Sequence, residues 1–260
     1  MTDVVPDAAP KKAFPWGQVL LAVVLVGLVG GAFWLKTRPK PFMGITGRAE
    51  PTESIESLLA RGIGEHNAGR YDAAIELYHK VLQRNPAHAQ AHYNLGQIYN
   101  GRKEYAKAKW EYEAAVKADP KFLDARINLG VVLYRQKQFA AAVEPFRQAV
   151  QESPKNPMAL FDLGITLIEL GQLNDAVRWL TAAIKEDPKS AGAHYYLGVA
   201  LDRQRRFADA RASLEKAIEL NPGFADAYAA LSRVYAAQGE RRLAQEAFAK
   251  AVQLNPGLKR

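Results

Sequence analysis

The sequence contains no cysteine, which excludes disulfides, thiolate metal ligands and cysteine nucleophiles. It also lacks a glycine-rich phosphate loop and a strand-to-helix serine elbow. The carboxylates of Asp119 and Asp124 have the positions of ordinary helix-end residues. His88 and His92 are four residues apart, but His88 falls in a turn and no cysteine or carboxylate completes a metal set. The residues therefore predict no catalytic site, no metal site and no cofactor.

Long blocks of one charge are absent as well. The formal net charge is +8; residues 1–54 account for +2 of it and the remainder for +6. Because this excess is spread along the chain without a dense Lys/Arg block, the sequence does not predict nucleic-acid binding. It favours acidic partners or anionic lipid only weakly.

Only one long apolar run occurs. Residues 13–35 contain no charged residue, and about 20 residues of helix suffice to cross a hydrocarbon core of roughly 30 Å. Aromatic residues flank the run and basic residues lie beyond both ends, as in membrane-spanning helices. The run is predicted to be a single-pass transmembrane helix, preceded by a short polar tail over residues 1–12. Residues 36–54, with three prolines and two glycines, are predicted to form an extended stalk.

Two alternatives concern this segment. A cleaved signal peptide would end near Gly31, although the apolar run continues to Leu35 and a basic cluster follows. Orientation is nearly balanced, with two Lys/Arg residues before the helix and three after it. Anchors of this kind commonly keep a short N-terminal tail in the cytoplasm. This arrangement favours an outward-facing position for the rest of the chain, which is periplasmic in a bacterium.

Proline recurs every 34 residues, each time after Asn, Asp or Ser. The series is Pro86, Pro120, Pro154, Pro188, Pro222 and Pro256. When each proline is numbered position 32 of a unit, glycine occupies position 8 of the first five units and alanine occupies position 20 of all six. Position 24 is always a large apolar or aromatic residue: Tyr78, Tyr112, Phe146, Leu180, Leu214 and Phe248.

These columns have helical spacing. Positions 4, 7, 8 and 11 share one helix face, as do positions 20, 24, 27 and 28, so each unit is predicted to be a helix–turn–helix pair. Small residues at positions 8 and 20 allow the two helices to approach closely. Proline at position 32 lacks an amide hydrogen and ends the second helix. One pair cannot bury its apolar faces, whereas a stack of pairs can.

The pattern resembles the tetratricopeptide repeat, whose signature over 34 residues combines L-G-x2-Y, A-x3-F and a final proline. The second unit matches it at Leu95-Gly96, Tyr99, Ala108, Tyr112 and Pro120. The resemblance implies an all-α, right-handed α-solenoid whose first helices line a concave face. The six units span residues 55–88, 89–122, 123–156, 157–190, 191–224 and 225–256, followed by a tail over residues 257–260.

Three features depart from the pattern. The first unit carries Arg61 and Glu65 at seam positions, which suits an end repeat with one solvated side. Pro145 falls inside the second helix of the third unit and is expected to loosen or kink it. The last unit has no polar-faced helix after it, so its end is either tolerated in water or used for self-association or partner binding.

The resemblance places positions 2, 5, 6, 9, 12 and 13 of each first helix in the groove. Amides there can pair with a peptide backbone, and tyrosines supply rigid contact area. Asn94 and Asn128 resemble two rungs of the peptide-holding asparagine ladder of O-linked N-acetylglucosamine transferase, whereas Asp162 and Tyr196 replace the next two. The candidate residues are Tyr93, Asn94, Gln97, Asn100, Asn128, Tyr134, Arg135, Phe161, Asp162, Tyr195, Tyr196, Asp202 and Arg203.

The functional expectation is a membrane-anchored adaptor that binds peptide segments of partner proteins, for example during assembly or maturation of an envelope complex. The alternative is a structural scaffold that oligomerises through its uncapped last repeat. A third reading is an anionic-surface binder that uses the +6 excess and would lose binding in moderate salt. No reading includes an enzyme activity or a nucleic-acid partner.

Overall fold

The structure, a computed structural model, describes residues 53–259. The polar tail, the predicted spanning helix over residues 13–35 and almost all of the predicted stalk lie outside the described residues. Between residues 53 and 259, no helix is both long enough and apolar enough to cross a membrane. The spanning helix therefore stays a prediction.

Twelve α-helices occupy the described residues, and they alternate between 13 and 14 residues in length. In chain order they are α1 (Ile55–Asn67), α2 (Tyr71–Arg84), α3 (Ala89–Gly101), α4 (Tyr105–Ala118), α5 (Leu123–Arg135), α6 (Phe139–Glu152), α7 (Pro157–Glu169), α8 (Leu173–Glu186), α9 (Ala191–Arg203), α10 (Phe207–Leu220), α11 (Ala225–Ala237) and α12 (Arg241–Leu254). A short 3₁₀ helix follows at Pro256–Lys259. The predicted all-α solenoid of paired helices is confirmed.

The turns between repeats follow from the residues around each proline. Every even-numbered helix ends two residues before the proline, as predicted. The preceding Asn or Asp accepts a hydrogen bond from the amide two residues further on, at 2.9–3.1 Å. This turn occurs at Asn85, Asp119, Asp187, Asn221 and Asn255. One side-chain acceptor therefore orients the chain for the next repeat.

The first repeat includes the last residues of the predicted stalk. Ser54 is the N-cap of α1, and its hydroxyl oxygen accepts a hydrogen bond from the amide of Ser57 at 3.1 Å. Glu53 accepts hydrogen bonds from the Ser57 hydroxyl at 2.7 Å and from Arg61 at 2.8 Å. The repeat domain thus begins two residues earlier than residue 55.

Within each repeat, the glycine at position 8 lies directly against the large residue at position 24. A Cβ atom added to Gly62, Gly96, Gly130, Gly164 or Gly198 would lie 2.6 Å from that side chain. The five facing residues, Tyr78 to Leu214 in the series above, are only 0–1% exposed. Ser232 replaces glycine in the last repeat, and its hydroxyl donates to the Ala244 carbonyl at 2.8 Å. The predicted close approach of the two helices is confirmed.

The repeats stack into a curved solenoid. Each even-numbered helix packs against the first helix of the next repeat. The odd-numbered helices also contact one another directly (α1 with α3, and α5, α7, α9 and α11 in succession), whereas no comparable contact joins even-numbered helices within the described residues. Because the odd-numbered helices are closer together, they line the inner, concave side. Helix α6 continues through Pro145 from Phe139 to Glu152.

Position 4 of the first helix links consecutive repeats through a contact that the sequence analysis did not predict. The His92 ring Nε2 lies 3.0 Å from the carbonyl oxygen of Pro86, and the His194 Nε2 lies 3.2 Å from that of Pro188. Arg126 donates to the carbonyl of Pro120 in the same way. Each contact satisfies a carbonyl beyond the end of the preceding helix and so ties one repeat to the next.

Candidate peptide-binding groove

Aromatic side chains follow the concave side from the second repeat to the fifth. Tyr93 packs on Phe122 with ring centroids 4.8 Å apart. Further along, Phe161 meets Tyr196 at 5.6 Å, and Tyr196 meets Tyr195 at 4.9 Å. All of these rings are partly exposed, so they form a surface that is rigid and accessible.

The second repeat positions its candidates in different environments. Tyr93 is half-buried, and Gln97 donates a hydrogen bond to its hydroxyl at 3.0 Å. Asn94 is only 5% exposed, and its carbonyl oxygen accepts a hydrogen bond from Gln90 at 2.9 Å. Asn100 lies at the other end of α3, where its side-chain oxygen is buried without a hydrogen-bond partner. Asn94 therefore offers little surface to a ligand, whereas Tyr93 and Gln97 offer more.

The third repeat continues this surface. Asn128 is half-buried, and its amide donates to the Asp124 carbonyl of its own helix at 2.8 Å. Tyr134 packs edge-on against Phe139 at 5.2 Å. Arg135 is exposed and extends over the ring of Tyr105 at 5.9 Å. The two predicted asparagine rungs thus differ, because Asn94 is buried and Asn128 is partly accessible.

The fourth repeat contributes the most perturbed carboxylate of the surface. Asp162 follows Phe161 on α7 and is half-buried, and no described residue forms an ion pair with it. Burial raises the pKa of Asp162 to about 7 from its ordinary value of 3.8. Its carboxylate is therefore partly protonated at neutral pH.

The fifth repeat adds a charged edge. Tyr195 packs on Phe224 at 4.8 Å. Asp202 lies 3.8 Å from the Arg233 guanidinium of the next repeat. Arg203 donates a hydrogen bond to the Ile168 carbonyl at 3.1 Å, which ties α9 to the end of α7. Asp202 and Arg203 thus already have partners across repeat boundaries.

Carboxylates surround the groove tyrosines and help keep them protonated. Burial, followed by the nearby Glu169 carboxylate, raises the pKa of Tyr134 to about 12. Burial and then Glu169 also raise the pKa of Tyr196, and burial with Asp226 raises that of Tyr195. These hydroxyls are neutral hydrogen-bond donors and acceptors at physiological pH.

Several residues of this surface were not predicted from the sequence. Phe122 and Phe224 occupy position 34 of their units and pack on the tyrosine at position 5 of the same unit, both at 4.8 Å. Asp124 and Asp226 occupy position 2, which the resemblance included but the selection of candidates omitted. The two units with tyrosine at position 5 are also the two with phenylalanine at position 34, and this co-occurrence could have identified Phe122 and Phe224.

His88 and His92 have separate structural roles. The ring Nδ1 of His88 accepts from the amide of Ala91 at 3.3 Å, which caps α3. The Nδ1 of His92 lies 2.7 Å from the carboxylate of Glu111, and both side chains are buried. This contact with Glu111 was not predicted from the sequence. Among the described residues, no group of three or more His, Asp or Glu side chains is arranged to hold a metal ion.

This fold and its concave surface define a helical-repeat protein of the tetratricopeptide type. Two family models described as tetratricopeptide repeats match the sequence, one at residues 107–157 and 161–225, the other at residues 66–121 and 201–258. Together they cover residues 66–157 and 161–258, which is well over half of the chain. The chain therefore belongs to the tetratricopeptide-repeat family. No curated protein matches the sequence significantly.

Solved structures share the fold. PilF of Pseudomonas aeruginosa is similar over 78% of this chain and 92% of its own, with a TM-score of 0.66 and 20% identity. MamA of Desulfovibrio magneticus RS-1 covers 65% of this chain and 96% of its own at 0.61 and 22%. YrrB, described as a TPR protein with an unusual peptide-binding site, covers 69% and 92% at 0.58 and 23%. At these identities the likeness establishes the fold.

Proposed function

We propose that this chain is a protein-interaction adaptor that holds an extended peptide segment of a partner protein in its concave groove. The observation that carries the proposal is an aromatic belt made of two groups of packed, partly exposed rings on one side of the solenoid. Tyr93 packs with Phe122 in one group, and the other contains Phe161, Tyr196, Tyr195 and Phe224. The peptide-binding site described for the similar protein YrrB supports it.

The groove fits an extended peptide better than a globular partner. Each repeat contributes contact side chains to the concave side, so these side chains recur at intervals along one line. An extended peptide also presents its side chains at intervals along a line. Tyrosines and half-buried amides provide hydrogen bonds to a peptide backbone, and the partly exposed rings provide apolar contact area. A fixed repeat scaffold also lowers the entropic cost of binding, because the groove is largely preformed.

The experiment selects 12-residue peptides from a combinatorial library on the full-length chain in detergent and measures their affinity by fluorescence anisotropy. The groove double variant Asn128→Ala/Tyr196→Ala should weaken binding at least tenfold. The matched variant Glu76→Ala/Lys80→Ala, at exposed residues on α2, should leave binding unchanged. Equal affinity of the two variants for the selected peptides would refute groove binding.

We also propose that residues 13–35 anchor the adaptor in a membrane as a single-pass helix, with the repeats on the outer, periplasmic side. The uncharged run of 23 residues with aromatic and basic flanks supports this part of the proposal. Paired alkaline-phosphatase and fluorescent-protein fusions after Arg260, expressed in a bacterial host, test the orientation. Phosphatase activity supports the outward arrangement, and fluorescence alone reverses it. The anchored groove would then serve assembly or maturation of an envelope complex.

One observation favours a second function, a self-associating scaffold. Phe248 at position 24 of the last repeat is 45% exposed, whereas its counterparts in the other repeats are buried. With Val252 and Pro256 it borders an open cavity of ≈ 550 Å³ at the end of the stack. Sedimentation velocity over a concentration series tests this function. Growth of the oligomer that Phe248→Glu abolishes would support the scaffold, and a constant sedimentation coefficient would exclude it.

A further inference from the structure

A cavity of ≈ 380 Å³ opens beside Asp162 between α7, the end of α8 and the start of α9. Pockets for small ligands begin at about 300 Å³, so this cavity has room for one long side chain. It adjoins the aromatic belt through Phe161, which both features share. Its lining residues are Pro157, Met158, Phe161, Asp162, Ala183, Asp187, Ser190 and Ala193.

Asp162 is the lining polar group that has no partner for its side chain among the described residues. The carboxylate of Asp187 accepts from the amide of Lys189 at 3.1 Å, and the hydroxyl oxygen of Ser190 accepts from the amide of Ala193 at 3.2 Å. The Asp162 backbone carbonyl accepts from Thr166, but its carboxylate makes neither a hydrogen bond nor an ion pair there. Burying an unpaired, charged carboxylate is costly, and either a proton or a cationic ligand relieves that cost.

The charges around the cavity favour a cationic ligand. Asp187 lies in the cavity wall. Glu169 lies about two helix turns after Asp162 on α7, near Tyr134 and Tyr196. Neither Asp162 nor Asp187 forms an ion pair with a described cation; Arg135 covers Tyr105 and Arg203 donates to the Ile168 carbonyl. The desolvation of Asp162, which raises its pKa to about 7, agrees with this absence of a compensating charge.

The other walls suit the stem of such a ligand. Met158 is 60% exposed at the cavity mouth and presents a flexible thioether. The ring of Phe161 supplies an aromatic surface, against which a guanidinium or ammonium group is stabilised. An arginine or lysine side chain has both parts, an apolar stem and a charged end.

We propose that this cavity receives an arginine or lysine side chain of the bound peptide, with Asp162 as its counter-ion. The inference rests on the proposed function and specifies its ligand: the groove selects peptides that carry a basic residue at one fixed position. Phe161 and Met158 contact the stem of that residue. Asp124, Glu169 and Asp226 are exposed to solvent, whereas Asp162 is half-buried and has no described ion pair.

A double-mutant cycle on the full-length chain tests the pairing. Its probes are the 12-residue peptides selected above, each compared with a version in which the basic residue is replaced by neutral citrulline or norleucine. Its protein variants are Asp162→Asn, which keeps the side-chain shape, and Glu76→Gln, which removes one exposed carboxylate on α2 that has no described ion pair. Circular dichroism confirms that each variant is folded.

We expect Asp162→Asn and the neutral peptide each to weaken binding about tenfold, and the two changes together to weaken it little further. Glu76→Gln should have no effect. Selected peptides without a basic residue, or losses that multiply to a hundredfold in the double change, would overturn the pairing. If the peptides respond to the groove double variant but not to Asp162→Asn, the cavity assignment alone is wrong. If no peptide binds the wild-type chain, the proposed function fails, and the inference with it.

Discussion

Replacing Asp162 by asparagine keeps the shape of the side chain and removes its charge. Burial raises the pKa of this carboxylate to about 7 in the folded chain, from an ordinary value of 3.8. A carboxylate whose folded pKa is raised stabilises the fold fully only below its unfolded pKa and loses this contribution as the pH rises through the folded value. The wild type should therefore become less stable than Asp162→Asn between about pH 4 and pH 7.

The magnitude follows from the two pKa values. They differ by about 3 units, and each unit corresponds to about 1.4 kcal/mol, so the limiting difference above pH 8 is about 4 kcal/mol. Because Asp162 is partly solvated at the mouth of the groove, we expect about 2 kcal/mol in favour of the variant. The difference should approach zero at pH 4, where the folded wild type holds the proton.

Urea unfolding of the full-length chain at pH 4, 6 and 8 measures this difference. Glu76→Gln serves as the control, since it removes an exposed carboxylate on α2 that has no described ion pair. An asparagine variant that is no more stable than the wild type at pH 8 would refute the reasoning. A gain that is equal at all three pH values would do the same. A variant that gains stability while losing peptide affinity would mark Asp162 as a binding residue.

Further predictions concern the stability of the repeat domain, and urea unfolding measures each of them. Gly130→Ala should destabilise the fold by about 1–3 kcal/mol, because its Cβ would lie 2.6 Å from the buried Phe146 ring. Gly64→Ala meets nothing within 4 Å and should stabilise by about 1 kcal/mol. Lys137→Gly should also stabilise by about 1 kcal/mol, because this lysine has a φ of 60°. His92→Gln should cost roughly 3 kcal/mol near pH 6, because it leaves a buried glutamate without its cation.

A different result would contradict each of these stability predictions. Equal effects at Gly130 and Gly64 would show that the ring does not limit the space at position 8. A loss of stability in Lys137→Gly would mean that backbone entropy outweighs the left-handed strain. For His92, burial alone lowers the pKa, but the bonds to Glu111 and to the Pro86 carbonyl outweigh it and the net shift is upward. Its stabilising effect should therefore be complete below about pH 6.5 and fall above it, and a pH-independent effect would exclude the charged pair.

The repeat could be predicted from the sequence because the same residue types recur every 34 residues at the positions that determine the helices and their packing. Proline at position 32 ends a helix for a local reason, and glycine at position 8 faces a large residue at position 24 in every internal repeat. Because this pattern occurs in six consecutive units, it predicts twelve helices and the pairing of the two helices within each unit. Within the described residues, the first helices approach their counterparts in the next repeat more closely than the second helices do, and this places the first helices on the concave side.

The sequence predicts on which helix face the candidate groove residues lie, but it does not predict the partners of their side chains. Asn94 and Asn128 occupy the same repeat position, yet one is buried beside Gln90 and the other is half-exposed. Likewise, Asp162 and Asp202 were both predicted as groove residues from the same repeat pattern. Asp202 has Arg233 nearby, whereas Asp162 has no described ion pair. Such differences depend on which residue the neighbouring repeat presents, and a pattern read within one repeat does not contain that information.

Photo-cross-linking tests the central claim, that the concave groove binds peptides, most directly. A selected peptide with a benzoylphenylalanine at its centre is bound to the full-length chain, irradiated, and the adducts are located by mass spectrometry. The account predicts adducts on the odd-numbered helices α5, α7 and α9, near Tyr134 and Tyr196. Adducts confined to the outer, even-numbered helices, or to Phe248 at the end of the stack, would contradict it.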